Sequence, residues 1–447
     1  MKASAQPELL RAIGRWSLVA LTINCIIGSG IFGLPAPIAG QLGRWAPLGY
    51  LVAAVGVGAI MGCFAEVASR FTEAGGPYLY ARAAFGSFIG IEIGWLTWLV
   101  RLASSAASAN LFVDYLGQFF PGVTAGAPRA ILLTAVVGVV LVVNVRGVGS
   151  GARLSNFFTV AKLVPLLALI VAGAAFLMAH GWHPQGDLRP RESADALVLL
   201  VFAYGGFESA MIPLSEARDP RRDAPFALGA ALVCCTLVFT SIQIVAMGAV
   251  SDLASTPRPL AAAAQATMGG AGAVLLTAGA LFSTYGLLSA NMLNVPRLTY
   301  ALAREGQFPA FFARIHPRFR TPHVSIAVFA GLLWVLAMAG GFRWNAVLST
   351  VSRIFTYGAV CGALLMLRRK QPGQERFHLR GGPVFAAIGI AFCALVGSRI
   401  GRVELLILSA TAAIAALNWW LARRRSSTAS TAGAGTPRRP AASSSKS

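Results

Sequence analysis

The sequence predicts an all-α polytopic membrane protein with 12 transmembrane helices, arranged as a five-plus-five inverted repeat in which helices 1 and 6 are broken. First, 56% of the 447 residues are hydrophobic and only 12% are charged, whereas a soluble protein carries about 25% charged residues. Second, apolar runs long enough to cross a bilayer recur along the chain. Third, glycines interrupt two of these runs near their centres.

The predicted spans divide the chain into six segments. These are a cytoplasmic N-terminal tail (1–15), a first repeat with helices 1–5 (16–180), an extracytoplasmic loop (181–193), a second repeat with helices 6–10 (194–367), helices 11 and 12 (368–422) and a disordered cytoplasmic tail (423–447). The spans are predicted at about 16–39, 46–69, 88–117, 129–145, 155–178, 194–214, 226–249, 271–299, 324–340, 346–367, 383–398 and 403–422. The last tail is rich in Ser, Ala, Thr, Pro and Arg, a composition typical of disorder.

Positive charge sets the predicted orientation of these spans. The formal net charge is +21, and only Arg101, Lys162 and Arg353 of the 37 lysines and arginines lie inside spans. Most of the others lie in both tails and in one set of alternating loops. Because positive charge prefers the cytoplasmic side, both termini are predicted to be cytoplasmic, which requires an even number of spans. The charge is thus explained by membrane topology, and nucleic acid is not an expected partner.

Several function classes have no support in the sequence. No lysine follows a glycine, so the chain has no Gly-Lys loop to hold a phosphate. The six cysteines lie in apolar spans without a CxxC motif and are predicted to be packing residues. His180 and His183 have no third ligand nearby, so no metal or other cofactor is expected. Without a nucleophile–base pair either, the chain is not predicted to be an enzyme.

The first interrupted span carries Gly28, Gly30, Gly33 and Pro35 close together. Glycine costs about 1 kcal/mol in a helix interior and proline about 3 kcal/mol. Backbone freed at membrane depth is tolerated only where it is buried in protein or lines a wet cavity. We therefore predict a break, after which the amides of the second half-helix point at an anionic group. Close helix packing through small residues is the alternative.

Gly205 and Gly206 interrupt span 6 in the same way, so that each break falls in the first helix of its half. Paired interruptions of this kind indicate a transporter with inverted repeats and a binding site at the membrane midplane. No residue-level identity between the halves accompanies this layout.

Five motifs now carry a resemblance to the amino acid permeases of the amino acid–polyamine–organocation (APC) superfamily, over about residues 12–420. They are Ile27-Gly28-Ser29-Gly30-Ile31-Phe32, Glu73-Ala74-Gly75-Gly76-Pro77-Tyr78, Phe202-Ala203-Tyr204-Gly205-Gly206-Phe207-Glu208, the loop from Glu216 to Pro225, and Ala303-Arg304-Glu305-Gly306-Gln307-Phe308-Pro309. The resemblance implies a LeuT-like fold in the lipid bilayer, in a plasma membrane such as the bacterial inner membrane. It implies an amino acid or a related amine as substrate.

The two breaks suit the two poles of an amino acid. Amides in the stretch Ile27, Gly28, Ser29, Gly30 and Ile31 are expected to bind the α-carboxylate. Carbonyls freed near Phe202, Ala203, Tyr204 and Gly205 are expected to bind the α-ammonium, and the resemblance implies the same assignment. One of Phe202, Tyr204 and Phe207 is a candidate gate, with plain packing as the alternative for each.

Lys162 is the only lysine at membrane depth, where a charge is costly and is therefore expected to be functional or paired. Its surroundings resemble family members in which a fifth-helix lysine occupies the place of a sodium ion. A buried lysine can also release a proton, because burial disfavours the charged form. We expect sodium-independent transport that uses protons or exchange, and a purely structural counter-charge is the alternative.

Two further charges complete the candidate coupling and gating residues. Glu208 follows the second break and matches a family position linked to gating. Arg101 either faces the substrate and favours a carboxylate-bearing side chain, or pairs with a buried acid, and pairing is favoured. Arg353 is open to the same two interpretations.

The leading functional hypothesis is a secondary active transporter of amino acids that works by alternating access, either by proton-coupled symport or by exchange. The alternatives are an amino acid/polyamine antiporter and a membrane nutrient sensor that binds without transporting. A channel is disfavoured because two facing breaks indicate one occluded site and not a continuous pore. The sequence does not indicate an oligomeric state.

Overall fold

The computed structural model describes residues 14–71, 75–147, 152–183, 186–187, 190–211, 217–304, 306–373, 375 and 377–433. Several predicted features lie outside these ranges. They are the tail up to residue 13, motif residues 72–74 and 305, residues 212–216 after the second break, and residues 434–447 of the C-terminal tail.

The described residues form sixteen α-helices connected by loops and short 3-10 turns. In chain order they are α1 (Arg15–Ile26), α2 (Ser29–Gly33), α3 (Pro35–Leu42), α4 (Ala46–Ser69), α5 (Gly76–Phe85), α6 (Ser87–Leu116), α7 (Gly126–Arg146), α8 (Ala152–His180), α9 (Pro190–Tyr204), α10 (Phe207–Ala210), α11 (Pro220–Ala249), α12 (Pro259–Arg304), α13 (His323–Ala339), α14 (Phe342–Lys370), α15 (Gly382–Gly397) and α16 (Arg402–Gly433).

Nine segments of the described part are long and apolar enough to cross a membrane. Three shorter apolar helices, α1, α13 and α15, accompany them. The polytopic all-helical class is therefore supported, while the count of 12 spans and the inverted repeat remain predictions.

Both interruptions lie where the glycines predict them. In the first, α1 ends at Ile26 and α2 begins at Ser29. In the second, α9 ends at Tyr204 and α10 begins at Phe207. Gly206 has a φ of 113°, a conformation that a residue with a side chain rarely adopts.

Three helices depart from the predicted boundaries. The sequence predicts a turn at Gly75-Gly76-Pro77 but misses α5, which starts in that turn, with Pro77 in its first turn, where a missing N–H costs little. α12 starts at Pro259, well before the predicted 271, because the alanine-rich stretch after it favours helix, and it bends at Gly269 with a φ of 72°. α16 continues to Gly433, past the residue at which disorder is predicted to begin.

The broken helices lie inside the bundle. α1 packs against α10 and α11, while α2 packs against α6, α9 and α12. α14 packs along α6 over much of its length and also contacts α4, α5, α9 and α15. The fold therefore surrounds both interruptions with long helices whose inward faces can carry polar side chains.

Candidate functional site

The two breaks are in direct contact with each other. A Cβ atom added to Gly206 would overlap the carbonyl oxygen of Cys25, at the end of α1. A Cβ atom added to Gly30 would lie 3.2 Å from the Cα atom of Ala203, at the end of α9. The end of α1 thus lies against the second break, and the start of α2 lies against the end of α9. Glycine permits both close contacts because it has no side chain.

The first break exposes backbone amides at the start of a half-helix. Gly28 has φ −124° and ψ −140°, outside the helical region, and α2 continues into α3 through the hydrogen bond from the Leu34 amide to the Gly30 carbonyl. The first amides of a helix have no partner within it. Ser29 is buried here, and its hydroxyl accepts a hydrogen bond of 3.1 Å from Ser108 of α6.

The second break supplies carbonyl groups instead. The Phe202 carbonyl accepts a hydrogen bond of 3.2 Å from the Gly205 amide. Within the described residues, the carbonyls of Ala203 and Tyr204 accept no backbone hydrogen bond across the break. Within the described residues, amides without a backbone acceptor at one break therefore lie next to carbonyls without a backbone donor at the other.

The three candidate gating aromatics have different surroundings. Phe202 lies beside Gly30, and its ring meets the Phe342 ring edge-on at 6.0 Å. The Tyr204 hydroxyl donates to the carbonyl of Tyr50 at 3.0 Å, which directs the ring towards α4. Phe207 packs between aromatic rings of α4 and α14. Of the three, Phe202 is the one that lies where the breaks meet.

Lys162 connects α8 to the first break. Its ammonium group donates to the carbonyl of Asn24 at 2.8 Å and to the carbonyl of Ile27, and the side chain is buried. Both carbonyls belong to the last turn of α1 and the residue after it, where the break leaves them without amide partners. The ammonium group thus satisfies carbonyls that a bound cation could otherwise satisfy.

Glu208 holds the second break through three hydrogen bonds and one further ion pair. Its Oε1 atom lies 3.2 Å from a terminal nitrogen of Arg101 and 3.4 Å from Nε of Arg353. Its Oε2 atom accepts hydrogen bonds from the Gly206 amide at 2.9 Å and from the Tyr357 hydroxyl at 3.0 Å. An ionised carboxylate is the form that accepts this many hydrogen bonds.

Arg101 and Arg353 therefore both pair with a buried acid, the interpretation that the sequence favours for Arg101. The sequence gives no signal for Tyr357, because a tyrosine within an apolar span indicates no particular partner. Among the described residues that contact the two breaks, three side chains are cationic, Lys162, Arg101 and Arg353, and Glu208 supplies the one carboxylate.

Comparisons with known proteins show which family the sequence matches. A family model described as amino acid permease matches residues 13–419. A branched-chain amino acid permease of Bacillus subtilis is 25% identical over 90% of this chain and 90% of its own length. A methylthioribose transporter of the same organism is 25% identical over 87% of this chain and 88% of its own length. A vacuolar cationic amino acid transporter of Arabidopsis thaliana is 27% identical over 83% of this chain and 66% of its own length.

Proposed function

The chain belongs to the amino acid permease family, and from this membership we propose that it is a secondary active transporter of amino acids that works by alternating access. The observation that carries the proposal is the contact between the two helix breaks, which brings free amides and free carbonyls together. The relatives named above act on different substrates by their descriptions, so the family alone does not specify the substrate of this chain.

We propose that the architecture behind this activity is the five-plus-five inverted repeat with 12 spans, with both termini on the cytoplasmic side of a bacterial inner membrane. The first repeat would comprise α1 to α8, and the second would comprise α9 to α14. The corresponding positions of the two breaks, at the first helix of each half, support this division.

The zwitterion would bind across the two breaks. The amides of Ser29, Gly30 and Ile31, with Ile27 and Gly28 shaping the break, would hold the α-carboxylate. The carbonyls of Ala203 and Tyr204 would hold the α-ammonium. Free donors and free acceptors on opposite sides of one contact support this assignment, because each pole then meets groups of complementary character.

Lys162 would make transport independent of sodium. Its ammonium group supplies the positive charge and the hydrogen bonds that join α8 to the carbonyls of Asn24 and Ile27. A sodium ion at the same carbonyls would have to displace it. Coupling would then use protons, as symport, or exchange of one amino acid for another.

Uptake into proteoliposomes tests the function and its ion dependence. A thermal-shift screen of the standard amino acids first selects substrates, and labelled hits are then assayed with choline in place of sodium. We expect counterflow of label into preloaded vesicles and no loss of uptake in choline. A strict sodium requirement would contradict the role of Lys162, and binding without counterflow would indicate a sensor.

A matched pair of lysine variants sharpens this test. Lys162→Gln removes the ammonium group from the first break and is expected to abolish uptake. Lys370 also donates to a backbone carbonyl, that of Ala84, but at the end of α14 away from the breaks. Lys370→Gln should therefore retain uptake within about twofold, as expected for loss of a single partly exposed hydrogen bond.

A further inference from the structure

One face of α14 carries buried polar atoms that have no hydrogen-bond partner within the described residues. They are the hydroxyl oxygens of Thr350 and Thr356 and the Nε and Nη1 atoms of Arg353. The three residues are 0%, 2% and 3% exposed. Because they recur every three residues, they lie on the same side of the helix.

Three polar side chains of α14 next to them are satisfied, although Asn345 Oδ1, near the start of the helix, has no partner within the described residues either. Ser349 donates to the Val100 carbonyl of α6, and Ser352 donates to the Leu348 carbonyl. Tyr357 donates to Glu208. Buried polar groups in proteins are nearly always hydrogen-bonded, so a group of unpartnered donors centred on one arginine indicates a missing acceptor.

The position of Arg353 links this face to the binding site. A Cβ atom added to Gly205 would overlap the Nη1 atom of Arg353, so the guanidinium group lies directly against the backbone of the second break. Arg353 contacts Glu208 only through Nε at 3.4 Å. The Glu208 carboxylate is already shared with Arg101, Tyr357 and the Gly206 amide, so it has little capacity left for a second guanidinium.

We infer that the substrate carries a second carboxylate and that the α14 face of Thr350, Arg353 and Thr356 binds it. The inference rests on the proposed transport function, because the occupant reaches these buried groups only if the helices rearrange during alternating access. A guanidinium group and two hydroxyls can all donate, and a carboxylate is an acceptor-only group that matches them.

The charge of the region favours the same occupant. Two guanidinium groups share the carboxylate of Glu208, and the Lys162 ammonium group contacts carbonyls at the first break, so a neutral zwitterion would leave the positive excess uncompensated. A second carboxylate on the substrate would reduce it, and uncompensated buried charge is unfavourable. Aspartate and glutamate carry both the α-amino acid group and a second carboxylate. A dicarboxylate without an amine has the two carboxylates but lacks the ammonium pole.

Competition in the counterflow assay tests the inference on the intact wild-type chain. Aspartate and glutamate are compared with asparagine and glutamine, which have nearly the same shape without the charge, and with succinate. We expect aspartate and glutamate to compete at least about tenfold more strongly than asparagine and glutamine, because only the acids can make a charge-assisted contact with the guanidinium group. Weaker competition by succinate would show that the ammonium pole also contributes, as the proposed function requires.

Substitution of threonine by valine then locates the contact without removing a charge. Thr350→Val and Thr356→Val delete hydroxyls that make no hydrogen bond in the structure, so folding should be maintained. Each is expected to reduce the preference for acid over amide about threefold or more. Thr240 of α11 also has an unpartnered buried hydroxyl but lies on another helix, so Thr240→Val should leave the preference unchanged.

Arg353→Gln gives the larger effect and completes the series. We expect it to abolish the preference for the acids while glutamine still competes. Wild-type transport of amides in preference to acids would overturn the second-carboxylate inference and leave the proposed function intact. Failure of every amino acid in counterflow would overturn the proposed function itself.

Discussion

Two buried ionic networks connect helices that are distant in sequence, and they differ in charge balance. The Glu208 network comprises Glu208, Arg101 and Arg353, with Tyr357 and the Gly206 amide. The Glu66 network comprises Glu66, Arg70, Arg368 and Glu375, at the end of α4 and the end of α14. The first lies at the second break, and no residue of the second network belongs to either break.

The Glu66 network is balanced. Both oxygens of Glu66 accept hydrogen bonds from Arg368, and Oε2 also accepts one of 2.9 Å from the Leu379 amide. Arg70 lies 2.9 Å from Glu375 and donates to the Gln371 carbonyl. Two carboxylates thus face two guanidinium groups, and each arginine also donates to a backbone carbonyl. Arg70 Nε and Glu375 Oε2 make no hydrogen bond within the described residues, which leaves one donor and one acceptor.

The Glu208 network has one carboxylate for two guanidinium groups. Within the described residues both networks have two side-chain atoms without a hydrogen-bond partner, but in the Glu208 network both are donor nitrogens of Arg353, whereas in the Glu66 network one is a donor nitrogen and the other a carboxylate oxygen. A balanced network needs no ligand and is suited to holding helices together. An unbalanced one is costly by itself and retains capacity for an anion. The difference teaches that burial and ion pairing do not identify a binding site, whereas unmatched charge does.

The largest effect should come from Glu208→Gln. This variant leaves Arg101 and Arg353 buried without a counter-charge, and breaking a buried pair in this way costs about 3–5 kcal/mol. We expect a matching loss of unfolding free energy in detergent and complete loss of uptake. Glu92→Gln is the control, because Glu92 lies on α6, the helix that carries Arg101, but makes no ion pair within the described residues. It should change neither quantity appreciably.

Both breaks could be predicted from the sequence because their signals are local. Clustered glycines and prolines within one apolar run are visible without any knowledge of the partner helices. The unusual charge of Arg101, Lys162 and Arg353 at membrane depth is equally visible. The partner of each charge is not visible in the sequence, because a single sequence does not show which face of one helix meets another.

The Glu66 network illustrates what the sequence does not reveal. Glu66 and Arg368 are 302 residues apart, and both lie near span ends, where charged residues are common. The α5 helix was missed for a related reason, since it is short and follows a glycine-rich turn. Both features depend on tertiary packing more than on local pattern.

An intermediate effect is expected for Glu66→Gln, and it tests whether the second network is only structural. The loss of its ion pairs should lower the unfolding free energy by about 3 kcal/mol, near the lower end for buried pairs, because Arg70 and Arg368 keep other acceptors. Uptake per folded molecule and the preference among substrates should be preserved. If this variant instead altered substrate preference, the functional distinction between the two networks would be wrong.

The smallest effects sharpen the comparison most, because one variant removes a hydroxyl that contacts the Glu208 carboxylate and the other removes a hydroxyl beside Glu66, and neither changes a charge. Tyr357→Phe deletes a donor to Glu208, and Ser69→Ala deletes a hydroxyl that accepts from the Phe377 amide beside Glu66. Each should reduce the unfolding free energy by about 1 kcal/mol. Only Tyr357→Phe should change transport kinetics, because Glu208 then holds the second break with one donor fewer. Equal KM shifts in the two variants would mean that stability, and not position at the break, controls transport.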